Sequence, residues 1–201
     1  MPKVTADYLE TRRQHILEAA ITCFARKGFH QTTMEDIGDE AGLSPGVAYR
    51  YFESKDDIIV ATVEGSLDRS VDFFEEAAEE EDIQSVLEQM IDDSFERFEQ
   101  PDRDIYYKVR VQLWAEALQN KKIAEKAAVL RDKGQGQLAA IIRRGQEIGQ
   151  INPDLDAQAV ALAIMANHDG FVLHWLANPE VDIWQYRDVT MAMVQGLFTD
   201  K

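Results

Sequence analysis

Apolar positions along this chain recur every three to four residues, and strict two-residue alternation persists nowhere, so the pattern predicts helices almost throughout. Ile16, Ala20, Cys23, Phe24 and Lys27 mark one side of a first helix, with Asp7 and Glu10 spaced as a capping box near its start and Gly28 expected to stop it. Three short elements come next, each with its own start signal. Thr33 with Asp36 opens a helix that Gly42 ends. Ser44-Pro45 opens another, with proline where no N–H donor is needed. Ser54 with Asp57 opens a fourth, which runs through Ile58, Ile59, Val63 and Leu67.

An acidic run, residues 75–82, separates these elements from the rest. Negative charge is unfavourable at a helix C-terminus and favourable at an N-terminus, so a loop is expected inside the run, with Asp82 capping the next helix. Ile83, Val86, Leu87, Met90, Ile91, Phe95 and Phe98 then form an apolar stripe that Pro101 breaks. Tyr106, Val109, Leu113, Trp114 and Ala117 mark another helix. A long one spans about 122–149, with a bend expected at Gly134 and Gly136. Asn152-Pro153-Asp154 reads as a turn, and two last helices, about 156–177 and 183–198, are split by Asn178-Pro179. The fold class is therefore all-α, about nine helices without an internal repeat. A helix-turn-helix domain (residues 1–57) is joined to a larger helical domain (58–201).

The segment 33–55 carries the sharpest signal. Two short helices meet at Gly42, flanked by Ala41 and Leu43, while Ile37, Ala48 and Phe52 supply the apolar contacts that lock their angle. If Ala48 and Phe52 point inward, the 100° step of a helix turns Gly46, Arg50 and Glu53 outward, with Val47 and Tyr49 at the flanks. That outward face is small and carries one arginine, which suits a major groove about 12 Å wide. Tyr49 and Tyr51 can also be read as packed surface aromatics, and Arg50 as a partner of Glu53 three residues on.

From Arg12-Arg13 and Ile16-Leu17 through Phe24, Gly28-Phe29, Thr32-Thr33, Ile37, Glu40-Ala41-Gly42 to Tyr49, Tyr51-Phe52 and Ser54-Lys55, the chain resembles the TetR family of transcriptional regulators. The resemblance implies a dimeric, ligand-responsive regulator, a repressor by family habit, with double-stranded operator DNA and a small-molecule effector as partners. It also implies phosphate contacts from Thr33, Tyr49, Tyr51 and Lys55, and bases facing Pro45, Gly46, Val47 and Arg50, next to Ser44. Lys55 sits at a helix N-terminus, where backbone N–H groups and an ammonium converge. Val47 against a thymine methyl and Arg50 on guanine would supply specificity. Glu53 on the same face departs from that pattern.

The resemblance carries only architecture into the second half: the last two helices pair with their copies, and the helices before them enclose an effector cavity. Ala159, Ala163, Ala166 and Gly170, spaced 4, 3 and 4, form a small-residue stripe that would let two helices approach closely. An alanine-rich helix packed inside its own subunit is the other reading. Phe95, Phe98, Tyr106, Tyr107, Trp114, Asn167, His168, Phe171 and Trp175 are the candidate pocket residues. Each taken alone reads as core; as a set they could form an apolar chamber with a few polar anchors.

Composition changes this picture in one respect. The net charge of −16 is awkward for a DNA binder, but it is unevenly spread: residues 1–57 carry 7 basic and 10 acidic side chains, and residues 58–201 carry 14 and 27. The acid is concentrated where phosphate need not approach, although the N-terminal part is not basic either, so binding must rest on local geometry. An apolar or cationic effector suits an aromatic chamber in acidic surroundings better than an anion does. His168 and His174 share no ligand spacing with other histidines or cysteines, and neither metal nor cofactor is implied. The N-terminus lacks the apolar core of a secretory signal and no run is long enough to span a membrane, which predicts a cytoplasmic protein; lone Cys23 fits a reducing compartment. A helical enzyme and a protein-interaction module are the rivals. Against the first stands the lack of a Gly-rich phosphate loop, nucleophile elbow or metal cluster, and against both stands the series Thr33–Lys55.

Overall fold

The computed structural model describes residues 6–62 and 80–199. Among them lie nine α-helical segments: α1 (Ala6–Gln31), α2 (Met34–Glu40), α3 (Pro45–Ala48), α4 (described over 55–62), α5 (Ile83–Glu96), α6 (Arg103–Ala117), α7 (Lys121–Glu147), α8 (Ala157–Ala177) and α9 (Ile183–Gln195). A 3₁₀ turn, Arg97–Glu99, succeeds α5, and an isolated bridge joins Ile151 to Phe198. Val63, Leu67 and the acidic run up to residue 79 lie outside the described residues.

The expected start signals operate through side chains. Thr33 accepts from the Asp36 N–H while Asp36 accepts from the Thr33 N–H, a reciprocal capping box. Ser54 accepts from the Asp57 N–H, Asp82 from Ser85 and Asp156 from Ala159. Gly28 ends the first helical run, as expected. It takes φ 81° and ψ 163°, a kink that only glycine adopts without strain, and one further turn leads to Gln31. α7 runs without a break through Gly134 and Gly136, neither of which has positive φ.

Two compact units emerge. The first joins residues 6–62 with 104–128. Ile16, Ala20, Cys23, Phe24, Ile37, Ala48, Phe52, Ile58 and Ile123 are buried in its core, and Val109, Leu113 and Ala117 of α6 pack against it. The expected stripe on α6 thus serves the helix-turn-helix core. Polar bonds tie the same segment down: Gln112 accepts from the Phe29 N–H at 2.9 Å and donates to the Phe24 carbonyl at 3.0 Å. Asn120 donates to Asp56, and Lys122 pairs with Asp57. The second unit joins residues 80–103 with 129–199. Its core holds Ile83, Leu87, Phe95, Phe98, Leu138, Ile142, Ala161, Phe171, Val172 and Trp175. Gln150 donates to the Glu81 carbonyl and accepts from the Ile83 N–H, fixing the start of α5.

Candidate nucleic-acid interface and ring cluster

The turn between α2 and α3 requires Gly42, whose φ of +63° lies in the left-handed region. Leu43 N–H then bonds the Gly38 carbonyl at 2.8 Å, closing the corner. Helix α3 is a single turn, shorter than a groove-spanning recognition helix, and continues as turns in which Arg50 and Tyr51 N–H groups bond the Val47 and Ala48 carbonyls. The facing is as the 100° step requires: Ala48 is 0% and Phe52 4% exposed, whereas Gly46, Tyr49, Arg50 and Glu53 face solvent and Val47 is half-buried.

Arg13 stacks its guanidinium over the Phe52 ring at 5.2 Å. With Leu9, Glu10, Arg50 and Tyr51 it lines an open groove of about 370 Å³ beside α3. Arg12 bonds the Tyr8 hydroxyl and lies over its ring. Arg13 thus adds positive charge to the groove that Arg50 lines, which a reading centred on residues 33–55 passes over, although the pair Arg12-Arg13 signals it in the sequence. Two other expected contacts are engaged within the chain. The Thr33 hydroxyl and N–H both donate to Asp36. Lys55 is half-buried, its Nζ donating to the carbonyls of Phe29 and Thr32, with the His30 carbonyl at 3.4 Å. Asp36 is also bonded by Lys27, which with the Thr33 donors lowers its carboxyl to about 2.

In the second unit Phe95, Phe98, His168, Phe171 and Trp175 form one ring cluster. Phe98 lies 5.1 Å from both Phe171 and Trp175, and His168 lies 6.2 Å from Phe95 and 5.9 Å from Phe98. Tyr186 of α9, which the sequence pattern does not single out, stacks on Phe171 at 4.2 Å. Asn167 accepts from the Thr190 hydroxyl. The remaining candidate rings are Tyr106, Tyr107 and Trp114 of α6. They belong to the first unit, where Tyr106 and Tyr107 touch edge to face and Arg110 lies over Trp114. On α8, Ala159, Ala163 and Ala166 are placed with Ala159 and Ala166 toward solvent and Ala163 likewise, and a Cβ added at Gly170 meets nothing within 4 Å. Leu162 and Leu173 extend that stripe at 50% and 48% exposure, and Val189 and Met193 form another on α9 at 58% and 60%.

A helix-turn-helix with its corner glycine, inward Ala48 and Phe52, and outward Arg50 is a DNA-reading arrangement, and comparison with known proteins gives it a family. Residues 16–62 match the model of bacterial regulatory proteins of the tetR family, and residues 66–199 match the C-terminal domain of BetI-type transcriptional repressors. The chain belongs to the TetR family of transcriptional regulators. Over 196 residues it is 27% identical to the HTH-type transcriptional regulator YfiR of Bacillus subtilis, covering 98% of this chain and 91% of that protein. Over 192 residues it is 28% identical to the regulator TtgR of Pseudomonas putida, covering 90% and 87%. A Saccharomonospora viridis protein solved in complex with choline shares the fold, with a TM-score of 0.81 and 24% identity, over 96% of this chain and 100% of that one. Among the described residues no helix is long and apolar enough to cross a membrane.

Proposed function

We propose that this TetR-family regulator acts as a homodimeric repressor that grips a near-palindromic operator and releases it when a small apolar or cationic molecule enters its second unit. The observation that carries the DNA half is the outward Gly46–Arg50 surface locked from behind by Ala48 and Phe52. In this reading Val47 and Arg50 contact base edges, with Ser44, Pro45 and Gly46 letting the backbone approach closely. Tyr49 and Tyr51 hydroxyls contact phosphate, and Thr33 joins them by exchanging its bond to Asp36 for one to a phosphate oxygen. The exposed stripes on α8 and α9 support pairing with a second copy. Leu162, Leu173, Val189 and Met193 bare apolar area at helical spacing, and small side chains between them permit close approach.

The ring cluster around Phe98, with Asn167 and His168 as polar anchors, supports an apolar or cationic effector, since aromatic faces attract cations. Release requires that the ligand prefer the conformer whose two reading helices no longer match the groove spacing. The helix beginning at residue 55 and segment 104–128, whose bonds reach Phe24, Phe29, Asp56 and Asp57, are the elements through which the DNA-binding helices would be moved. The test is a titration of candidate ligands against the free protein and against its DNA complex. The effector should bind the DNA complex more weakly by the same factor that it weakens DNA binding. Equal affinity for both forms would remove the allosteric claim, and tight selective binding of a polyanion would remove the chemical one.

A further inference from the structure

We infer that Lys55 is a positioning residue that caps the end of α1 and thereby sets the pose of the reading helices, and that it keeps this role when DNA is bound instead of clamping a phosphate. The inference rests on the DNA-binding reading above. A cation in the first turn of a helix faces the positive end of that helix's dipole, so an ammonium at the start of α4 is poorly placed with respect to its own helix. Its partners explain why it is there. The last four carbonyls of a helix have no intrahelical donors, and a lysine commonly satisfies them. Lys55 does this for another helix: Nζ reaches the carbonyls of Phe29 and Thr32, and lies 3.4 Å from that of His30. An ammonium has three N–H donors, and three carbonyls converge on this one.

The turn so held is closed by Thr32, whose N–H and hydroxyl both bond the Gly28 carbonyl, and anchored by Phe29 against Phe24, which leaves the Phe29 and Thr32 carbonyls to Lys55. It starts at the Gly28 kink and leads straight into Thr33, the cap of α2. Gln112 holds it from the other side through the Phe29 N–H. Moving this turn moves α2, and with it α3. A clamp on phosphate would oblige Nζ to abandon these half-buried carbonyls, at the cost of leaving them without a donor.

The alternatives separate on one set of measurements, using a duplex selected from random sequence by the wild-type protein and an unselected duplex as the non-specific probe. Lys55→Met removes the donors with little change in bulk, and Lys55→Gln keeps neutral N–H donors. Well below the unfolding temperature, Lys55→Met is expected to lose at least about tenfold in affinity for the selected duplex, the factor that corresponds to a single modest discriminating contact. Affinity for the unselected duplex and the salt slope should stay unchanged, and Lys55→Gln should regain part of the loss. In wild-type protein the 15Nζ signal of Lys55 should keep its chemical shift when DNA is added, which decides the matter even if the variants fold poorly. A salt slope reduced by about 0.9 per protomer with both affinities falling alike, or an Nζ signal that moves on DNA binding, would overturn the inference in favour of a phosphate contact. Unchanged affinity in folded Lys55→Met would overturn it too, leaving the residue no part in setting the reading helices. A wild-type chain that selects no duplex would instead overturn the DNA-binding reading itself.

Discussion

The two units of this chain differ less in how they are held together than in what they present outward. The first is held at its corners by directed bonds: the Thr33–Asp36 box, the Ser54–Asp57 cap, the Gln112 clamp and the Lys55 carbonyl cap. The second has directed bonds of its own, the Asp82 and Asp156 caps and the Gln150 bonds to Glu81 and Ile83, and adds a ring cluster around Phe98 and apolar stripes left bare on α8 and α9. A surface that must meet a duplex needs a few side chains at fixed angles, and hydrogen bonds fix angles. In the proposed function the second unit pairs with a copy and admits a ligand, which calls for apolar area and shape, and packing provides these with less constraint on the residue at each position.

The largest effect should come from the ring cluster. Phe98→Ala removes a fully buried ring that touches Phe95, Phe171 and Trp175, and should cost about 3–5 kcal/mol in urea unfolding. A loss below about 1 kcal/mol would mean that this core is loosely built and would weaken the contrast. Next comes pairing. Gly170→Leu points into open space within one chain, so each subunit should stay folded while a close partner helix is blocked. Sedimentation should report a monomer, and operator affinity should fall by about 10²–10⁴-fold as the linked second half-site is lost. A dimer that persists would place the interface elsewhere.

A smaller effect is expected from Arg50→Ala. It should leave the fold intact and remove about 1–3 kcal/mol of discrimination at one base position, measured by competition between the selected duplex and single-base variants. Uniform weakening across all variants would show that Arg50 does not read a base. The smallest concerns Asp36. Its carboxyl is lowered from 3.8 to about 2, first by Lys27 and then by the Thr33 donors, so it contributes stability above the ordinary carboxylate range and loses it as pH falls through the folded value. Asp36→Asn should therefore flatten the fall in stability between about pH 4 and pH 2. An unchanged acid limb would show that the ion pair with Lys27 does not contribute.

Legibility in the sequence follows separation along the chain and not the division between the units. Thr33 with Asp36, Ser54 with Asp57 and the inward turn of Ala48 and Phe52 are relations within four residues, and helical geometry alone fixes them. The small-residue stripe on α8 is legible for the same reason. The allegiance of α6 is not. Val109, Leu113 and Ala117 have the spacing of any amphipathic helix, and nothing local tells which core they serve; they pack against the DNA-binding helices, as Gln112 does against Phe24 and Phe29 more than eighty residues earlier. The partners of Lys55 are equally hidden, because the carbonyls it bonds lie more than twenty residues earlier, at the end of α1 and just beyond it.

The most direct test is a nuclease footprint of the full-length protein on the DNA upstream of its own gene, with its molecular mass in the complex measured in parallel. The account expects a dimer protecting two related half-sites whose centres lie about 34 Å apart or a multiple of it, and protection lost in Arg50→Ala at wild-type concentrations. Protection of one isolated half-site by a monomer, or no protection of any duplex while the protein remains folded, would contradict it.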